Sequence, residues 1–341
     1  MRYVKALISE LRIRHSYIAE PPSTIYLGGG TPSQLSSEAL LMLFDAIDFS
    51  NASEITMECN PDDITPEFAD TLNKIPVNRV SMGVQTFNDD RLRFLHRRHN
   101  SDEVFEAVRI LRNSGIANIS IDLMYGFPEE TIDQWQEDIE QALTINPEHI
   151  SAYCLSYEEG TPLYNMLKKG TIRENDEESC RTMYYKLIDR LKEAGYEHYE
   201  ISNFARNGFQ SRHNSGYWSG IPYLGIGAGA HSYNTTSRQW NIADIDTYMA
   251  EIEQNKIPAE REELDTQTRY NDTVMLSLRT SQGINLDEIE HNFSSYFVRF
   301  CLKAAECYIK DGLLINTDNH LRLTRKGLFV SDMIMSDLMY V

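Results

Sequence analysis

Two hydrophobic periods alternate along the first half of the chain. In the segment from Arg2 to His15, Val4, Leu7, Ile8 and Leu11 recur at helical spacing. The segment is closed by Pro21 and Pro22. A short β-type run, Thr24–Leu27, then leads straight into Gly28-Gly29-Gly30-Thr31-Pro32, and the cap-like Ser36-Ser37-Glu38 opens another helix. The unit repeats. Glu54–Glu58 reads as a strand ending at Cys59-Asn60-Pro61, and Thr65-Pro66-Glu67 opens a helix with proline in its first turn. Arg79–Gln85 is a strand followed by a basic stretch, and Asp102–Ser114 is a helix closed by Gly115. Asn118–Met124 is a strand ending at Tyr125-Gly126-Phe127-Pro128, Thr131–Thr144 a helix, and His149–Leu155 a strand. Strands separated by one helix, roughly every thirty residues, are the βαβ period and predict a parallel sheet, open or closed into a barrel. A chain that begins this series with a helix suggests that a first strand is missing.

The pattern changes after Leu155. Two helical stretches flank Gly170, and a region rich in glycine, tyrosine and asparagine runs from Gly195 to Asn241. Short helices follow Asp265. Ile315–Leu323 reads as a hairpin turning at Asp318-Asn319, and a last helix runs from Arg325 towards Leu338. Helices followed by a small hairpin predict a winged-helix-like end domain, in a packing role because no basic recognition helix accompanies it. The divisions are 1–160 for the barrel core, 161–262 for an extension and 263–341 for the end domain.

Length and composition narrow the class. A chain of 341 residues accommodates one large α/β domain and a smaller one. No run of eighteen apolar residues occurs, and the charged N-terminal segment lacks the apolar stretch of a secretory signal, so a cytoplasmic protein without a transmembrane segment is expected. The net charge of −19 excludes a general nucleic-acid surface, and an anionic ligand would need a local cluster of donors. Five cysteines, Cys59, Cys154, Cys180, Cys301 and Cys307, are scattered without CxxC spacing. They predict reduced thiols and no metal site readable from spacing. Cys59 and Cys154, at strand ends, are expected to face the core, and Cys301 and Cys307 to point to different faces of one helix.

In parallel α/β folds function gathers at the C-terminal ends of the strands. The residues there are Gly28–Pro32, Glu58 with Asn60, Gln85, Asp122 and Tyr153. Glycines let the backbone approach a ligand, the carboxylates accept from amino or hydroxyl groups, and the carboxamide both donates and accepts. Each alone has an ordinary structural explanation; their recurrence at successive strand ends points to a binding rim.

These motifs, in this order, resemble a known family. YLGGGTPSQL is similar to the glycine motif of radical-SAM proteins in the form used by the HemN/HemW group, the oxygen-independent coproporphyrinogen oxidases and their heme-chaperone relatives. ECNP, SMGVQTFNDDRLRFLHRRH and IDLMYGFPEET resemble the next three strand-end motifs of that group. HNSGYW followed by YLGIGAGAHSY resembles the marker of the heme-chaperone branch. The resemblance covers essentially the whole chain and extends to a HemN-type C-terminal domain.

The resemblance implies an α/β fold: a partial (β/α)6 barrel lacking its first strand and cluster loop, with a small helical, winged-helix-like C-terminal domain. It implies S-adenosylmethionine (SAM) and a [4Fe–4S] cluster as cofactors. The cluster's CxxxCxxC loop would precede the helix at Tyr3, and no such loop occurs here, so no cluster is expected on this chain as it stands. Gly29, Gly30, Thr31 and Glu58 resemble SAM contacts, as do Gln85, Arg97 and Asp122. A guanidinium such as that of Arg97 suits a carboxylate; a solvated residue in the basic run is the other reading. His96 and His99 carry no catalytic role. His213, Tyr217 and Trp218 are the expected heme contacts, with His213 as axial ligand and His231 in reserve; the other reading packs them between domains. The function implied is a heme-binding protein that passes heme or a porphyrin to an acceptor protein. The alternative is coproporphyrinogen III oxidation by SAM radical chemistry. An unrelated aldolase-type barrel is disfavoured because no lysine stands at a strand end.

Overall fold

In a strand, successive side chains point to opposite faces, and here the two faces have opposite chemistry. The computed structural model describes residues 1–17 and 20–341. Its first five strands are β1 (Thr24–Leu27), β2 (Glu54–Cys59), β3 (Arg79–Gln85), β4 (Asn118–Tyr125) and β5 (His149–Cys154), all parallel. One parity carries Ile25, Leu27, Ile55, Met57, Val80, Met82, Ile119, Ile121, Leu123 and Ile150, which pack in one core with the covering helices. The other carries Thr24, Tyr26, Glu54, Thr56, Glu58, Arg79, Ser81, Ser120, Asp122, His149 and Ser151. Parallel sheets between helix layers are usually apolar on both faces. This sheet curls into a half-barrel, and the polar parity lines its lumen.

Two strands close the sheet beyond β5. β6 (Glu197–Glu200) and β7 (Asn203–Ala205) form a hairpin whose second strand runs antiparallel to β5, giving the order β1-β2-β3-β4-β5-β7-β6. They lie in the turn-rich region, where four- and three-residue strands leave little periodicity to read. The helix Glu177–Glu193 adds Met183, Leu187 and Leu191 to the barrel core.

The glycine-rich stretch that follows holds the first helix. Three short strands, β8 (His231–Tyr233), β9 (Ser237–Asn241) and β10 (Ala259–Glu263), form an antiparallel sheet. Glu10, on the helix Arg2–Ile13, is fully buried against it. Its carboxylate accepts from Arg14 Nη1 at 3.1 Å, Gly227 N–H at 2.9 Å, Asn241 Nδ2 at 2.8 Å and the Tyr248 hydroxyl. A buried charge is tolerated when paired and hydrogen-bonded in this way. Gly225 has no room for a side chain, because a Cβ there would lie 2.0 Å from the His231 carbonyl oxygen.

The C-terminal region has its own core around Tyr270, Leu278, Ile289, Cys301 and Ile334. It is mostly helical, with a sheet of β11 (Ile284–Asn285), β13 (His320–Leu323) and β12 (Leu314–Thr317) in that order. Asp318 and Asn319 take φ of 51° and 61°, the left-handed pair that a two-residue hairpin favours. The last helix is interrupted, as Arg325–Leu328 and Ser331–Leu338. Among the described residues no helix is long and apolar enough to cross a membrane.

Candidate functional site

The three glycines after β1 do different things. A Cβ on Gly28 would lie 2.5 Å from the Tyr26 ring and 2.7 Å from the Glu58 carboxyl, so close approach requires glycine. Gly29 has φ +79°, which glycine adopts without the Cβ clash. Among the described residues, Gly30 has nothing within 4 Å of its Cβ position and faces open space. Glu58 ties this loop to the sheet: its Oε2 accepts the Gly29 N–H at 3.1 Å and its Oε1 the Tyr26 hydroxyl at 2.8 Å. Thr31 follows, its carbonyl accepting the Gln34 N–H at 3.0 Å at the start of a single 3₁₀ turn.

The next strand ends complete the rim. Arg97 Nη2 donates to Asn60 Oδ1 at 2.8 Å and to the Gly83 carbonyl at 2.7 Å, bridging β2 and β3. Gln85 has φ +69° at an irregularity in the β3–β4 register, and its side-chain amide and the Arg97 guanidinium both lie over Gly83. Asp122, on β4, stands opposite Gly83 of β3 and Ser151 of β5. Burial pushes the Asp122 carboxyl up to about 6, opposed by the Ser151 and Ser81 hydroxyls and the Arg79 charge. Burial lowers the Arg97 pKa, partly offset by nearby carboxylates including Asp122. The structure thus brings Gly29, Gly30, Glu58, Gln85, Arg97 and Asp122 to one rim. His96 is exposed beside it, and His99 is buried, with Nε2 at 3.2 Å from the Val84 carbonyl.

His213, Tyr217 and Trp218 lie elsewhere. They belong to the short helix Arg212–Trp218, docked at the N-terminal ends of β1 and β2. The buried Glu54 carboxylate accepts the backbone N–H groups of Arg212 at 3.0 Å and His213 at 2.9 Å. The His213 ring is engaged on both nitrogens, Nδ1 with Thr24 Oγ1 at 2.8 Å and Nε2 with the Tyr217 hydroxyl at 2.8 Å. It stacks on Tyr26 with centroids 5.0 Å apart, and burial lowers its pKa, favouring the neutral ring. Iron ligation by His213 would require one of these hydrogen bonds to break. Trp218 lies under the Arg279 guanidinium, 4.9 Å from ring centroid to Cζ, and its indole N–H is buried without a partner among the described residues. His231 is exposed and stacks on Trp240 at 6.2 Å.

Sequence reasoning passed over several contributors. Tyr26, Glu54 and Arg79 sit inside strands, where a polar residue between apolar neighbours signals a lumen-facing parity. Glu130, in the GFPEET motif, accepts the Gly126 and Phe127 N–H groups at 2.6 and 3.1 Å and pairs with Arg91 at 2.8 Å. Burial raises it to about 7. Arg91 also reaches Asp138 at 3.4 Å, so the network pins the β3 and β4 loops together.

The cysteines do not converge on the rim. Cys59 is buried, as expected of it. Cys154, expected to face the core, is exposed, because β5 outruns its pairing with β7. It lies with Cys180 around Gly126. Cys301 is buried and Cys307 exposed on one helix. Among the described residues no three His, Cys, Asp or Glu side chains are grouped to hold a metal ion. These residues therefore do not fit an iron–sulfur cluster, which is held by thiolates. A sulfonium amino acid fits the rim better: Gly30 leaves the open space and Glu58, Asp122 and Arg97 offer charges for its ammonium, hydroxyl and carboxylate groups.

The sequence matches the Radical SAM superfamily over residues 9–142 and the HemN C-terminal domain over residues 264–330. It is 35% identical over 329 residues to a heme chaperone HemW of Lactococcus lactis, covering 95% of this chain and 86% of that protein. It is 34% identical to the heme chaperone HemW of Bacillus subtilis, with 95% and 88% covered. The fold matches the coproporphyrinogen III oxidase HemN of Escherichia coli with a TM-score of 0.83 at 23% identity, over 99% of this chain and 82% of that one.

Proposed function

Because the chain belongs to the radical-SAM family of the HemW heme chaperones, we propose that it binds heme and delivers it to an acceptor protein, with SAM held at the barrel rim. The observation that carries this reading is the identity to heme chaperones from end to end of the chain rather than over the barrel alone. The likeness to the oxidase HemN, at 23% identity, is a likeness of fold. SAM and a [4Fe–4S] cluster are the cofactors of the radical-SAM family, and the residues described here would hold the SAM and not the cluster.

The chemistry of the rim's own residues supports SAM as its ligand. Glu58 fixes the glycine loop and presents negative charge to an ammonium group. Asp122 accepts from hydroxyl groups. The Arg97 guanidinium uses one nitrogen on Asn60 and Gly83 and keeps its remaining N–H groups for a carboxylate. His213, Tyr217 and Trp218 are the proposed heme contacts, offering an imidazole and two flat aromatic faces; ligation by His213 would take Nε2 from Tyr217.

Titration of the protein with hemin tests the proposal. A saturable Soret band, and transfer of the bound heme to an apo acceptor, are expected. Anaerobic conversion of coproporphyrinogen to protoporphyrinogen without stable heme binding would replace the chaperone by the oxidase.

A further inference from the structure

We propose that His213 and Tyr26 are positioning residues for the glycine loop, forming a brace that runs through the half-barrel from its floor to its rim. The proposal rests on reading that loop as the SAM site.

The path is continuous. At the floor, Glu54 holds the first backbone N–H groups of the helix Arg212–Trp218, and Thr24 and Tyr217 hold the two nitrogens of His213. The imidazole therefore has a fixed plane. Tyr26 stacks on that plane with an interplanar angle of 23°. With one face covered, the phenol is aimed along the lumen at Glu58 Oε1, 2.8 Å away. Glu58 then has one oxygen on Tyr26 and the other on the Gly29 N–H. Gly28 closes over the Tyr26 ring with no space for a Cβ.

Each link restricts the next. A carboxylate with one oxygen fixed by a phenol rotates less freely and offers the Gly29 amide a stationary acceptor. Without the His213 ring, the space it vacates is open to Tyr26, and Glu58 loses a fixed anchor. The Gly29 loop is exposed on its other side, so Glu58 is its chief tie to the sheet. The helix bearing HNSGYW is thus joined to the loop through two side chains, neither of which touches the open space beside Gly30. Coupling of this kind is reciprocal: a ligand that displaces His213 would loosen the SAM loop, and SAM would hold His213 in place.

The test uses the full chain, Tyr26→Phe, His213→Ala and the double variant, with two readouts. Hydrogen–deuterium exchange of the Gly28–Thr31 peptide without ligand should quicken roughly tenfold in each single variant, the effect of losing one hydrogen bond. Peptides from β3 and β4 should keep their wild-type rates. A merely structural role would instead quicken those peptides as well, and that result would overturn the proposal. The second readout is calorimetry with SAM, at a temperature where every variant is folded. Each single variant should bind several-fold more weakly, and the double variant no more weakly than the worse single one, because both residues act through Glu58. Full additivity would break the brace into two unrelated contacts. If wild type binds no SAM while the loop exchange still responds, the brace stands and the SAM reading falls. If SAM binds all four proteins equally and the loop rates are unchanged, the brace falls and the SAM reading stands.

Discussion

The carboxylate of Glu54 receives the backbone N–H of His213 at 2.9 Å, across 159 positions of sequence. A buried anion at a helix N-terminus satisfies donors that have no partner within the helix. Glu54→Ala should therefore lower stability by about 2–4 kcal/mol, the cost of lost capping plus buried amides left unpaired. Chemical denaturation read by fluorescence of the three tryptophans checks it. Unaltered stability would mean that the helix docks without its cap.

The glycine loop separates folding from binding at adjacent positions. Gly28→Ala must displace Tyr26 or Glu58 and should destabilise the protein by about 1–3 kcal/mol. Gly30→Ala meets nothing within 4 Å and should leave the thermal midpoint within a degree or two. It should still weaken SAM, since the methyl group enters the space beside the loop. Gly29→Val mixes the two effects, because φ +79° strains any β-branched residue. Melting curves and SAM calorimetry on the same two alanine variants decide. Equal SAM affinity for wild type and Gly30→Ala would remove the ligand from that space.

Asp122 sets a pH dependence whose sign is fixed. Its carboxyl titrates near 6 in the folded state against 3.8 as its ordinary value. Stability associated with the protonated form is fully present below pH 4 and is lost as pH rises through 6. The loss is at most about 3 kcal/mol, the equivalent of two pKa units. Asp122→Asn should therefore be more stable than wild type at pH 8 and nearly equal to it at pH 4. Denaturant midpoints at the two pH values measure this. A stabilisation that is the same at both would assign the effect to packing instead of charge.

Glu10→Ala leaves the Arg14 guanidinium buried without its carboxylate. Removing one partner of a buried pair costs about 3–5 kcal/mol. The first helix should come loose from the Gly225–Ala230 loop, with faster amide exchange in both and little change in β3 and β4. Uniform acceleration everywhere would place the pair in a single cooperative unit with the barrel.

Much of this architecture is legible in the sequence because the βα period is regular. The first five strands lie where the apolar runs place them. The rim residues could be found because they follow those runs directly. The lumen could not, because Tyr26, Glu54 and Arg79 look like interruptions of an apolar run until the sheet's curl shows which parity faces inward. β6 and β7 are not legible in the sequence because Asn203–Ala205 is too short to show a period. The resemblance to heme chaperones drew attention to His213 as a ligand, whereas only three dimensions show both of its nitrogens engaged. Cys154 departs from its expected core position because burial at a strand's end depends on the neighbouring strand, and β7 begins only opposite Ser151.

The floor of the half-barrel has a consequence for traffic. Thr56, Arg79, Ser120, His149 and Ser211 are all buried there, beneath the helix that carries His213. The helix covers the N-terminal ends of β1 and β2, so a ligand that approaches the polar face from the strands' C-terminal ends meets the glycine loop first.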